Sequence, residues 1–237
     1  LASRAYAEKA WEILTNVQSA SQNGTPLHPL LTARENTKKV LVVLVTSERG
    51  LAGAYNSNIV RVAQMFERKM PVEVEFITLG RKGRDTIIRQ GSKVIADFTI
   101  TSEPTVAEIT LAVKLATQMF LSGQVDDVYI AYTDYVNMIT QRPVVLGWLP
   151  LTPHAIDRTV LDDQYVKQAP QVTTGRLDYE YEPSPTAILE EIVPAFTDLI
   201  LYQAVLEAQA SEHSARMVAM RNASDNAKTF VADLTLD

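Results

Sequence analysis

The sequence predicts an α/β protein with a Rossmann-like, mostly parallel sheet of about five strands flanked by helices. It also predicts an antiparallel two-helix coiled coil formed by the N- and C-terminal helices. The first prediction depends on residues 39–151, where apolar, β-branched runs alternate with helical patterns, as in a doubly wound sheet. The second depends on both ends of the chain, where apolar residues recur at alternating spacings of four and three.

Residues 184–237 predict one long helix. Ser184 is a suitable N-cap, Pro185 suits the first helical position, and no glycine follows. At about 1.5 Å per residue the helix would be roughly 80 Å long, so most of it must lie against other structure. Residues 1–20 carry a shorter stripe of the same kind and are predicted to pack antiparallel to part of it. The seam of the long helix consists of Leu199, Gln203, Leu206, Ala210, His213, Met217, Met220, Ser224, Ala227, Val231 and Leu234.

The predicted sheet lies between these helices. Its strands are residues 39–46, 72–80, 93–98, 127–133 and 143–151, and a helical pattern follows each of the first three. The last two strands are separated by only about ten residues, too few for a helical crossover, which predicts an antiparallel pair. Residues 152–183 contain turn residues and few apolar runs, and they predict a long surface loop that leads into the C-terminal helix.

Composition excludes several classes of function. The 237 residues carry a net charge of −6, which argues against nucleic acid as the main partner because phosphate binding needs concentrated Lys and Arg. The absence of cysteine excludes disulfides, thiolate metal sites and cysteine nucleophiles. We find no apolar run of about 18 residues and no secretory signal, so we expect a cytoplasmic protein without a direct membrane span.

The loop SERGLAGAYNSN (47–58) follows the first strand, where a doubly wound sheet binds a nucleotide phosphate. Gly50 and Gly53 match neither the dinucleotide motif nor the P-loop, and the second strand ends in Thr78-Leu79-Gly80, without the carboxylate that would hold a ribose. We therefore expect no cofactor. The alternative is a structural loop, in which the two glycines allow a tight turn and Asn56 or Ser57 caps the next helix.

Nothing in the sequence assembles a catalytic or metal site. His28 and His154 lie beside prolines, and His213 lies on the helical seam, so no histidine has a partner at metal-ligand spacing. A basic cluster between Arg81 and Lys93 is interpreted as a solvated helix face, with an acidic partner as the minority interpretation. Catalysis by this chain alone is not expected.

Two stretches resemble the gamma subunit of rotary F-type ATP synthases. They are LVTSERGLAGAYNSNI (44–59) and the more specific LYQAVLEAQASEHSARMVAMRNASDNAK (201–228), and residues 181–196 also match. The similarity covers essentially the whole chain. Glu48, Ala52, Ala54 and Tyr55 stand where the family has Asp, Cys, Gly and Phe. The family's basic start before Leu1 and its tip after Asp237 are missing from this sequence, and the paired cysteines of plant-type gamma subunits are absent.

The resemblance implies a non-catalytic central-stalk subunit that couples rotation of a membrane ring to ATP synthesis or hydrolysis on beta subunits. Residues 39–151 would form the foot, and residues 1–20 and 184–237 the coiled-coil stalk. The implied partners are an epsilon subunit, the alpha and beta subunits and the membrane c-ring, at the cytoplasmic face of the bacterial inner membrane. The stretch that faces the ring and epsilon would include Tyr179, Tyr181 and Glu182.

Two other classes of function remain open at this stage. One is an α/β nucleotide-binding enzyme with a helical appendage, which should bind ATP, NAD or FMN. The other is a non-rotary coiled-coil adaptor, which should neither bind epsilon nor support ATP hydrolysis by alpha and beta subunits.

Overall fold

A computed structural model describes residues 11–12, 28–152, 156, 160–167 and 184–235. Its helices are α1 (Tyr55–Lys69), α2 (Arg81–Arg89), α3 (Val106–Leu121) and α4 (Pro185–Thr235). Its strands are β1 (Lys39–Val45), β2 (Glu73–Leu79), β3 (Lys93–Phe98), β4 (Asp127–Tyr135), β5 (Gln141–Leu149) and β6 (Val166–Lys167).

The strands form a single mostly parallel sheet in the order β3-β2-β1-β4-β5-β6. The pairs β1–β2, β1–β4 and β2–β3 are parallel, and the pair β4–β5 is antiparallel, as the short connection predicts. The alternation of strands and helices from Lys39 onward is confirmed.

The sheet has six strands, not about five, because β6 pairs with β5 inside the segment predicted as a surface loop. Leu161, which precedes β6, is fully buried, so this segment also contributes to the core. A two-residue strand is too short to show any periodicity in the sequence.

Each face of the sheet carries its own apolar core, because alternate side chains of a strand point to opposite faces. On one face Val40, Val42 and Leu44 pack against α1 and α2. On the other face Leu41 and Val43 belong to the core that contains α3 and α4. The long helix therefore shares a face with α3.

A buried ion network closes the amino-terminal edge of the sheet. The carboxylate of Glu75 is almost fully buried, and its Oε1 lies 3.1 Å from Lys39 Nζ and also accepts a hydrogen bond from Lys93. Burial by itself would raise the pKa of Glu75, but the hydrogen bonds from Lys93 and Lys39 outweigh it and lower that pKa. Lys93 does not lie on the predicted helix face, because it begins β3; its side chain is 59% exposed but paired with Glu75.

The N-terminal segment contacts the long helix at one described residue. The ring of Trp11 packs edge-on against Phe196 of α4, with ring centroids 5.1 Å apart. Both side chains are buried in the core on the α3 and α4 face. The rest of residues 1–20 lies outside the described residues, so their antiparallel pairing with α4 stays a prediction.

Candidate functional site at the base of the long helix

Helix α4 is a single helix of 51 residues, about 77 Å long at 1.5 Å per residue. Ser184 caps it as predicted, since its Oγ accepts a hydrogen bond from the N–H of Ala187 at 3.2 Å. Pro194 lies inside the helix, where it removes one backbone hydrogen bond. Its side chain is exposed, so water can reach the neighbouring backbone.

The lower half of α4 is anchored on β4 through a stripe of mostly small side chains. The buried members of this stripe are Leu201, Ala204, Ala208 and Ser211. Small side chains let the helix approach the sheet closely. The resulting contact is apolar and extensive. Because apolar contacts are non-directional, it only weakly favours one rotational orientation of the helix.

The predicted seam lies on the other side of α4 from this anchoring stripe. Leu206, Ala210 and His213 each follow a stripe residue by two positions, about 200° around a helix. Leu206 and Ala210 are half-buried, and His213 is exposed. The sheet thus covers Leu206 and Ala210 only in part, and their contact with a partner helix stays a prediction.

Farther toward the C-terminus of α4, several seam side chains are largely exposed among the described residues. Met217, Met220 and Val231 on the seam are 48%, 51% and 62% exposed, and Ala227 is exposed as well. That these residues face a partner helix stays a prediction.

The loop after β1 is held by side chains of its own sequence. The sequence predicts Asn56 as a possible cap of α1, but Asn56 does not cap this helix. That helix begins at Tyr55 after an Ala54 N-cap that makes no side-chain hydrogen bond. Instead, Asn56 Oδ1 accepts the N–H of Ser47 at 3.0 Å, and its Nδ2 donates to Ser47 Oγ at 2.7 Å. The side-chain amide thereby joins the two ends of the loop.

The backbone of this loop turns at two residues. Gly53 has φ +55, as a turn glycine should, but the other left-handed residue is Leu51 with φ +64 rather than Gly50. Leu51 is 79% exposed, so a bulky residue holds an unfavourable backbone conformation without an apolar contact to compensate it.

The two stretches that carry the family resemblance meet here, although about 150 residues separate them in the sequence. Arg216 Nη2 of α4 donates to the carbonyl oxygen of Gly50 at 3.3 Å and pairs with Glu212 at 2.6 Å. A Cβ placed on Gly53 would lie 3.7 Å from the Cβ of Ala219. Tyr55 is buried at this contact, and the burial raises the pKa of its phenol.

The position of α4 argues against a nucleotide site. In a doubly wound sheet the ligand lies at the carboxyl ends of the strands where the strand order reverses, here between β1 and β4. Ser211 of α4 reaches this edge and donates from Oγ to the carbonyl oxygen of Thr133 at 3.1 Å. The chain's own helix thus lies over the carboxyl end of β4, on one side of the crevice.

The start of α2 is likewise occupied by a side chain of the protein. Glu48 accepts the N–H of Ile100 at 3.0 Å and the N–H of Arg81 at 3.4 Å. A carboxylate at the beginning of a helix takes the place that a phosphate would need and repels it.

A cleft of about 750 Å³ remains beside this edge, and His213 lines it together with Arg49, Arg81 and Arg216. Within the described residues, no group of three His, Asp or Glu side chains is arranged to hold a metal ion. Nor does any described helix have the length and apolar character needed to cross a bilayer. Tyr179, Tyr181 and Glu182 lie outside the described residues.

Comparison with known proteins agrees with this geometry. A family model described as ATP synthase matches residues 1–237. The ATP synthase gamma chain of Chloroflexus aurantiacus is 39% identical over 245 residues, which cover 100% of this chain and 78% of the relative. The gamma chain of Roseiflexus castenholzii is 39% identical over 244 residues, covering 100% and 77%.

The chain belongs to the ATP synthase gamma-chain family.

Solved gamma-type stalks have the same fold. The central stalk of the Tetrahymena thermophila mitochondrial ATP synthase gives a TM-score of 0.59 at 20% identity, covering 94% of this chain and 98% of that one. The rotor of the Euglena gracilis enzyme gives 0.56 at 18% identity, covering 99% and 87%. In this fold, the long helix crosses the edge of the sheet at which a Rossmann fold would bind its ligand.

Sequence reasoning missed one glycine that the sheet domain needs. Gly80, between β2 and α2, has φ +105, and a Cβ there would lie 2.2 Å from the carbonyl oxygen of Thr46. Its position directly between a strand and a helix was the available signal.

Proposed function

We propose that this chain is the central-stalk rotor subunit of an F-type ATP synthase, in which the sheet domain is the foot and α4 is the shaft. The observation that carries the proposal is the division of α4 into two halves. The lower half is buried on the sheet, and the upper half, from Met217 onward, projects with exposed apolar side chains. A projecting helix of this kind suits a shaft that enters another assembly.

The chain contributes stiffness and shape rather than chemistry. Beyond Pro194, a helix without glycine resists local bending, since each interior glycine would cost about 1 kcal/mol and add flexibility. Rotation of such an asymmetric shaft would present different faces to three catalytic sites in turn, and ATP would form on the beta subunits. The relatives' name, ATP synthase gamma chain, supports this assignment.

The shaft and the foot are each proposed to contact different partners. The shaft would lie within a ring of alpha and beta subunits, and the foot would contact an epsilon subunit and the membrane c-ring. Tyr179, Tyr181 and Glu182 are proposed to face the ring and epsilon. The bacterial gamma chains among the relatives support a peripheral position at the cytoplasmic face of the inner membrane.

Reconstitution tests the proposal. The purified chain is mixed with alpha and beta subunits. The ring of alpha and beta subunits is immobilised, and a bead is attached to the foot. We expect ATP-driven, unidirectional rotation of the bead, and a one-to-one complex with epsilon on size exclusion. Saturable binding of ATP, NAD or FMN to the chain alone would favour the nucleotide-binding enzyme instead. Failure both to bind epsilon and to support hydrolysis would favour the non-rotary adaptor.

A further inference from the structure

Three long polar side chains of α4 recur at intervals of seven residues. They are Tyr202, Gln209 and Arg216, which lie on one side of the helix because seven residues make about two turns. Each donates a hydrogen bond to a main-chain carbonyl of the sheet domain. Tyr202 Oη lies 3.2 Å from the oxygen of Pro104, Gln209 Nε2 lies 2.6 Å from that of Thr101, and Arg216 Nη2 lies 3.3 Å from that of Gly50.

The accepting carbonyls are themselves held in place. The N–H of Thr101 donates to the carboxylate of Glu108 in α3 at 3.1 Å, and its hydroxyl donates to the same group at 3.0 Å. Gly50 belongs to the loop that Asn56 and Ser47 close. All three donors therefore bind main-chain carbonyls, and those of Thr101 and Gly50 belong to segments with hydrogen bonds of their own.

These three hydrogen bonds are directional, whereas the apolar contacts of the anchoring stripe are not. The anchoring stripe lies against the sheet, and apart from the hydrogen bond of Ser211 to Thr133 its contacts are apolar, so it opposes removal of the helix more than rotation about its own axis. Tyr202, Gln209 and Arg216 lie around the helix from Ala204 and Ala208, by about 80–160° at 100° of rotation per residue. Hydrogen bonds at that position are directional and act away from the line of the sheet contact.

We propose that Tyr202, Gln209 and Arg216 form a torsional clamp that fixes the rotational setting of the shaft on the foot. They are positioning residues, and the proposal rests on the rotor function proposed above. Under torque the apolar stripe keeps the shaft attached to the foot, while the clamp prevents the shaft from twisting relative to it. Loss of the clamp softens the connection without changing any catalytic group.

The test variant is Tyr202→Phe with Gln209→Met, which removes two of the three donors and keeps side-chain volume. Arg216 stays intact because it also pairs with Glu212. The matched control is Thr197→Val, since Thr197 lies off the seam and its Oγ1 donates within α4, to the carbonyl oxygen of Val193 at 2.7 Å. The chain has no native cysteine, so spin labels can be placed by Arg61→Cys on the foot and Ala223→Cys on the shaft, both exposed positions.

The first measurement is the width of the distance distribution between the two labels in the isolated chain. We expect the double variant to broaden it about twofold, because two of three directional contacts are lost, and the control to leave it unchanged. The second measurement is the angular variance of a foot-attached bead during ATP-waiting pauses in the reconstituted complex, and we expect the same pattern. If the double variant does not fold, each single substitution is measured in the same way, with a smaller broadening expected.

The outcomes separate the two proposals. An unchanged label distribution overturns the clamp, whatever the chain does in the complex. A broadened distribution with unchanged bead variance overturns its role in torque transmission. If the parental chain supports no rotation, the rotor function fails, while the label distances still show whether the clamp holds α4.

Discussion

The hydroxyl of Ser211 in α4 donates to the carbonyl oxygen of Thr133 in β4 across 3.1 Å, and Ser211 is fully buried. Thr133 pairs across the antiparallel ladder with Pro143, which has no N–H to donate. The long helix therefore supplies a donor at a point where the neighbouring strand cannot.

Removal of this hydroxyl should destabilise the folded chain. We expect Ser211→Ala to lower the free energy of unfolding by about 1–3 kcal/mol, since a buried carbonyl loses its donor. Urea unfolding followed by far-UV circular dichroism measures the change. Ser214→Ala, three residues further along α4 and also buried, is the control and should cost less. Equal losses in both variants would show that the Thr133 contact contributes nothing specific.

Gly80→Ala should be far more damaging than its small size suggests. The added Cβ would lie 2.2 Å from the carbonyl oxygen of Thr46, and φ +105 is unfavourable for alanine. We expect a loss of about 3 kcal/mol or more, seen as poor expression or a much lower Tm.

Gly91→Ala separates the two effects in that prediction. Gly91 has φ +86 but no atom within 4 Å of a Cβ, so only the backbone cost remains, about 1 kcal/mol. A Gly80→Ala variant as stable as Gly91→Ala would contradict the close approach between β1 and the start of α2.

The Glu75 network should make stability depend on acid pH. Its pKa is lowered in the folded state, so its contribution is present above the ordinary glutamate value and is lost as pH falls through the folded pKa. Unfolding in urea between pH 7 and pH 3 should therefore show a loss of stability below about 4.3 that Glu75→Gln reduces.

Glu73→Gln is the control for this pH dependence. The carboxylate of Glu73 is 53% exposed and pairs with Lys39 at 3.3 Å, so solvent screens the interaction. Its removal should leave the acid dependence nearly intact. The same slope in wild type and Glu75→Gln would exclude Glu75 as its source.

Met217→Asp should affect assembly rather than folding. Met217 is 48% exposed in the isolated chain, so we expect a change of at most about 0.5 kcal/mol in its unfolding free energy. In protein assembled with alpha and beta subunits, an unpaired charge in an apolar contact would cost several kcal/mol if fully buried. We therefore expect weaker assembly or uncoupled ATPase.

Ala223→Asp introduces the same charge at an exposed position off the seam and should assemble normally. Intact assembly and coupling with Met217→Asp would mean that the seam is not a packed interface. Nucleotide affinity of isolated beta subunits should be the same in every case.

The sequence by itself determined the sheet, the antiparallel β4–β5 pair and the long helix with its Ser184 cap. These features depend on patterns within a few neighbouring residues: β-branched runs such as residues 39–46, a short connection, and a capping residue followed by proline. The resemblance at residues 44–59 and 201–228 determined the family in the same way, because motif matches need no knowledge of contacts.

Only the tertiary structure decided how those elements meet. The side of α4 that faces the sheet, the strand β6, the role of Asn56 and the need for Gly80 all depend on contacts between residues far apart in the chain. The same helical spacing suits either the sheet or a partner helix, so periodicity could not say which stripe is buried. Packing decided which stripe is buried, because the small residues Ala204 and Ala208 let α4 approach β4. Met217 and Met220, farther along the helix, are exposed.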